Sequence, residues 1–148
     1  MLNQGFASDP KARALAQVPL FAQCSRKELE FITTRTDEVT APVGTRLTCQ
    51  GRRGDAFYVL LDGQVDVVVD GERRRTLVTG DFFGEISMLD RGLATATIYT
   101  RGRARLMVMS HAQFRDAIEA SDSLLVKVQA AMGERLRADD VSRGPAGK

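Results

Sequence analysis

A backbone that can hold an anion and a carboxylate that can take hydroxyl donors stand side by side in one short stretch. Residues 80–98 read Gly-Asp-Phe-Phe-Gly-Glu-Ile-Ser-Met-Leu-Asp-Arg-Gly-Leu-Ala-Thr-Ala-Thr-Ile. Gly80-Asp81 is a turn signal, and the aromatic pair Phe82-Phe83 follows it. Ile86 to Leu89 is a short apolar run that predicts one turn of helix. Asp90-Arg91-Gly92 breaks that turn, and Thr95-Ala96-Thr97-Ile98 returns to extended chain. A glycine ahead of a helical turn bares backbone N–H groups, which attract anions, phosphate above all. An ionised Glu85 beside them only accepts hydrogen bonds, so it suits a partner rich in hydroxyls. A sugar phosphate meets both demands.

Phe83-Gly84-Glu85-Ile86-Ser87 followed by Ala94-Thr95-Ala96-Thr97 resembles the phosphate-binding cassette of cyclic nucleotide-binding domains. Those domains occur in catabolite-activator-type regulators, in the regulatory subunit of cyclic-AMP-dependent protein kinase and in nucleotide-gated channels. Gly44-Thr45, Gln50-Gly51 and Gly54-Asp55 are similar to the family's glycine-marked turns, and residues 57–65 to its central hairpin. The resemblance spans about residues 18–137. It implies that Glu85 binds ribose and that the backbone at Gly84, Ile86 and Thr95 faces the ligand, with Phe83, Ser87 and Ala96 in the same site. One position departs from the pattern. Where the family has an arginine for the exocyclic phosphate oxygens, this chain has Ala94. Arg91 lies three residues earlier, in the expected loop, and is the candidate substitute.

The elements around this stretch follow from local signals. Asp9-Pro10 is a helix start, with an N-cap followed by proline at the first helical position. Ser25-Arg-Lys-Glu28 and Ser110-His-Ala-Gln113 are capping boxes. Between about Glu38 and Met109 the pattern is β. Arg46-Leu47-Thr48 is a short strand, Tyr58 to Leu61 another, and Asp62-Gly63 a hairpin signal. Val65, Val67 and Val69 alternate with Asp66, Val68 and Asp70, as in a half-buried strand. Arg101, Arg103 and Arg105 alternate too, and in a strand they share one face, either solvated or a docking patch for an acidic partner. At the end, Leu125, Val128, Met132 and Leu136 form an apolar helical stripe. Short strands joined by glycine turns suggest a sandwich or barrel. The expected fold is mainly β with flanking helices, a jelly-roll β-roll of about eight strands between N-terminal and C-terminal α-helices. The division is a 1–17 extension with a short helix, an 18–137 cyclic nucleotide-binding-like domain and a 138–148 disordered tail.

Composition excludes several classes. At 148 residues, 43% hydrophobic and 27% charged, the chain is long enough for one globular core. A net charge of +2 argues for no polyanionic partner. No apolar run predicts a membrane span, and the N-terminus lacks the pattern of a secretion signal. Cys24 and Cys49 have neither metal nor disulfide-framework spacing, and a single His111 speaks against a multi-histidine metal site. No P-loop occurs and no triad assembles, so the expectation is a non-enzyme without a cofactor, in the cytoplasm. The chain stops where catabolite-activator-type regulators continue into a helix-turn-helix, so no DNA-binding domain is expected.

Two functions remain. One is a cyclic-nucleotide-binding regulatory module with cyclic AMP, or else cyclic GMP, as ligand. It would signal through its C-terminal helix to an unknown protein partner, or pair that helix with a second copy as a homodimer. The alternative is a degenerate fold that lost its nucleotide with the arginine at Ala94 and serves as a protein-interaction module.

Overall fold

The computed structural model describes residues 10–90 and 92–143, with the side chains of 90 and 135–143 outside the description. Helix α1 is Pro10–Ala16, and a single 3₁₀ turn, Pro19–Phe21, leads to α2, Arg26–Thr33. The N-cap expected at Asp9 lies outside the described residues. At Ser25 the capping box forms as read: its hydroxyl accepts from the Glu28 N–H at 3.0 Å, and the Glu28 carboxylate accepts from the Ser25 N–H at 3.0 Å.

Eight strands follow: β1 Asp37–Ala41, β2 Arg46–Thr48, β3 Phe57–Asp62, β4 Gln64–Val69, β5 Glu72–Val78, β6 Phe82–Phe83, β7 Thr97–Thr100 and β8 Ala104–Met109. They form two antiparallel four-stranded sheets, ordered β1-β8-β3-β6 and β2-β7-β4-β5. Neighbours in each sheet are mostly distant in sequence, which is the jelly-roll arrangement the turn spacing suggests. Between β6 and β7 sits the short helix α3, Glu85–Asp90. Helices α4, His111–Ala120, and α5, Asp122–Arg143, close the described chain. The Ser110–Gln113 capping box starts α4 as expected. Helix α5 continues through 138–143, the first residues of the segment read as a tail.

Two apolar clusters hold these layers together. Leu60, Val65, Val67, Phe83, Ile98 and Leu106 fill the space between the sheets. Leu15, Ile32, Phe57, Met107, Phe114 and Val128 pack the helices under the roll. Phe57 links strand to helix, its ring centroid 4.8 Å from that of Phe114. Val65, Val67 and Val69 all face inward, so the alternation in β4 identified the buried face.

Three readings need correction. Asp62-Gly63 turns the chain but closes no hairpin, because β3 and β4 belong to different sheets and β4 forms its hairpin with β5. Strand β8 begins at Ala104, so Arg101 lies on the bend at 101–102 and Arg103 just before the strand, and the three arginines do not line one strand face. Arg101 pairs with Asp66 at 3.5 Å and Arg105 with Glu38 at 2.8 Å. In α5 the inward residues are Leu124 and Val128, both buried, while Leu125 is half-buried. Val128 of the expected stripe is thus buried as read and Met132 is half-buried, the side chain of Leu136 lies outside the description, and Leu124 joins the inward face from beside the stripe.

Tyr58 on β3 stacks on Phe83 at 4.8 Å and donates its hydroxyl to the Leu47 carbonyl at 3.2 Å. Burial, and secondarily the Asp55 carboxylate, pushes the phenol above its ordinary 10.0. The folded chain thus holds that proton more tightly than the unfolded chain. The stabilisation is fully present below the unfolded value and is lost as pH rises through the folded one. The stability difference between the wild type and Tyr58→Phe should therefore shrink from about pH 10 upward. Urea melts at stepped alkaline pH measure it, and a constant difference would refute the assignment.

Candidate ligand-binding cleft

The turn into α3 depends on one glycine. Gly84 has φ +93°, and a Cβ built there would lie 2.5 Å from the Ala56 carbonyl oxygen. Only a residue without a side chain lets the chain pass so close to β3 and then enter the helix. Glu85 is the first residue of α3 and is 1% exposed. Ile86 and Ser87 are buried behind it, and Met88 turns down into the apolar cluster shared with Leu124 and Val128.

The facing segment, 92–96, is stitched to the loop before β3. The Ala94 N–H donates to the Arg52 carbonyl at 2.7 Å, and the Ala94 carbonyl accepts from the Gly51 N–H at 2.9 Å. Thr48 donates its hydroxyl to the Ala96 carbonyl at 2.8 Å. Gly54 in that loop lies directly against Ser87 of α3, and a Cβ there would collide with the serine side chain. The Gly54 carbonyl in turn lies 2.9 Å from His111 Nε2 at the start of α4. The loop is thus pinned between the cleft and the C-terminal helices.

These pieces surround one open cleft. Phe83, Gly84, Glu85, Ile86, Ser87, Ala94, Thr95 and Ala96 all line it. The residues singled out from the sequence are therefore brought together, although they come from both ends of the stretch. Arg91 is the exception, and lies outside the described residues. Ala94 presents only a methyl group to the cleft, so the departure noted in the sequence is real in space.

The cleft also has a residue the sequence reading missed. Arg75 of β5 lines it. Glu72-Arg-Arg-Arg75 reads as a charged outer strand, and nothing in the sequence says which arginine turns in. The available signal was pairing: an arginine opposite a buried valine of β4 must share its face.

A family model described as the cyclic nucleotide-binding domain matches residues 38–121, more than half of the chain. The chain belongs to this family. The cyclic nucleotide-binding domain here is 27% identical over 121 residues to the cAMP-dependent protein kinase regulatory subunit of Schizosaccharomyces pombe, covering 80% of this chain and 29% of that protein. The chain spans under a third of the length of the curated relatives it matches first. Among solved structures, the Thermus thermophilus catabolite activator protein superposes with a TM-score of 0.72 at 25% identity, over 84% of this chain and 61% of that one. The regulatory subunit of a cAMP-independent protein kinase A from Trypanosoma brucei superposes with a TM-score of 0.75 at 18% identity, over 86% and 48%. A mutant of that subunit, one of whose three changes replaces threonine by arginine, is described as bound to cAMP in its A site. The domain resembles them in its two sheets and flanking helices. Among the described residues no helix is long and apolar enough to cross a membrane, and no cluster of His, Cys, Asp and Glu could hold a metal ion.

Proposed function

We propose that this domain is a non-catalytic regulatory module that binds a cyclic nucleotide, cyclic AMP foremost, in the cleft at Glu85. The observation that supports it is the assembled cassette. A buried acidic residue and a glycine-forced turn face Thr95 and Ala96 across an open cleft. In a 3′,5′-cyclic nucleotide the 2′-hydroxyl is the ribose hydroxyl left free, and Glu85 is the acceptor for it.

The output is movement of the C-terminal helices. Met88 of α3 shares its apolar cluster with Leu124 and Val128 of α5, and α3 packs against that helix. A ligand that shifts α3 changes the surface on which α5 rests. Helix α5 then signals to a protein partner, or pairs with its counterpart in a homodimer, in the cytoplasm.

Ala94 favours one second reading, a fold that keeps its shape without the nucleotide and acts as an interaction module. The trypanosome neighbour described as cAMP-independent supports the idea that this fold persists under such conditions.

Calorimetric titration of the purified protein with cyclic AMP and with cyclic GMP decides between the readings. Saturable binding of cyclic AMP, tighter than that of cyclic GMP, is the expected result. Absence of heat with both at millimolar ligand would remove the sensor and leave the interaction module.

A further inference from the structure

The charge of the cleft enters from the sheet rather than from the cassette. In the β4–β5 pair, Val67 stands opposite Arg75 and Val68 opposite Arg73, so Arg74 is the extra residue of a bulge. Opposed residues of an antiparallel pair project to the same face. Val67 is 2% exposed and lines the cleft, and Arg75 lines it too. Arg73 takes the outer face, where it pairs with Asp66 at 3.7 Å. Without the bulge the strand beyond it would run one residue out of step, and every side chain there would change faces. Among the described residues that line the cleft, Arg75 and Glu85 are the charged ones.

This matters because a phosphodiester keeps a full negative charge at neutral pH. Bringing it into a cleft that already holds the acidic side chain of Glu85 costs heavily unless a cation meets it. Ala94 supplies none. Resting on the cyclic-nucleotide reading above, we propose that Arg75 takes the place of the missing cassette cation. Its guanidinium reaches across from β5 and donates paired hydrogen bonds to the two exocyclic phosphate oxygens. The planar fork of arginine matches two oxygens on one centre, which a lysine ammonium does not.

The experiment is a set of titrations with cyclic AMP and cyclic GMP on the wild type, Arg75→Ala, Arg75→Lys and Arg75→Ala with Ala94→Arg. Thermal melts report folding in each. Arg75→Ala should weaken both nucleotides by a similar factor, about ten- to a hundredfold for a lost charge-assisted contact. Arg75→Lys should fall between. Adding Ala94→Arg to Arg75→Ala should regain at least about tenfold, because a cation returns to the same phosphate from the other wall. That rescue is a result no purely structural role for Arg75 would give. A loss confined to one nucleotide would overturn the proposal, since the arginine would then be reading the base. Unchanged affinity in Arg75→Ala, or no rescue by Ala94→Arg in a folded protein, would overturn it as well. If the wild type binds neither nucleotide, the cyclic-nucleotide reading itself falls and takes this one with it, whereas wild-type binding with an indifferent Arg75→Ala sinks this one alone.

Discussion

Gly84→Ala should lower the melting temperature by clearly more than Gly71→Ala. Two costs coincide at this residue. Its φ of +93° is a conformation that side chains rarely adopt, and holding a non-glycine residue there costs on the order of 1–3 kcal/mol. The added Cβ would also lie 2.5 Å from the Ala56 carbonyl oxygen and 3.3 Å from the Phe57 Cα. Neither can yield cheaply. Both are backbone atoms, and Phe57 is 1% exposed in the core. Overpacking of this kind adds roughly 1–3 kcal/mol. The sum is about 2–6 kcal/mol, and for a domain of this size each kcal/mol moves the melting point by about 2–4 °C. Gly71→Ala is the internal control. It has φ +81° with nothing within 4 Å of an added Cβ, so it carries the first cost without the second. Thermal melts of both variants, followed by circular dichroism, separate the terms. Equal melting points would mean that the close approach of Gly84 to β3 stores no energy.

The contrast between those two glycines marks what could be read from the sequence. Both announce a turn. Only the packing of β3 behind Gly84 makes one of them irreplaceable. Signals carried by neighbours in the chain translate directly. The two capping boxes and the alternation of β4 each involve residues within a few positions of one another, and each forms as written. The cassette was legible for the same reason, since its two halves lie only a few residues apart. What the sequence hides depends on register. Three consecutive arginines carry no sign of which one faces the cleft, because a bulge at Arg74 decides it. Arg103 fails as a strand residue because β8 begins one residue later, beyond the bend at 101–102. Neither of these is a matter of propensity. Each is a one-residue phase that only the packed neighbours define.

Glu85→Ala should weaken cyclic AMP by about 1–3 kcal/mol, which is roughly 5- to 150-fold in Kd. The side chain is 1% exposed at the start of α3 and lines the cleft, so water replaces it poorly once a ligand is seated. An ionised carboxylate accepts and cannot donate, and its natural partner on a cyclic nucleotide is the 2′-hydroxyl. Glu85→Gln keeps one acceptor oxygen and loses the charge, so it should lose less than alanine does. The decisive comparison uses 2′-deoxy cyclic AMP. The wild type should bind it about as weakly as Glu85→Ala binds cyclic AMP, and Glu85→Ala should bind the two ligands alike. Such a cycle isolates the contact between one side chain and one hydroxyl, because any general damage to the cleft weakens both ligands and cancels. If Glu85→Ala instead weakens the deoxy ligand as much as cyclic AMP itself, the carboxylate serves to hold α3 in place, and the sugar finds its acceptor elsewhere.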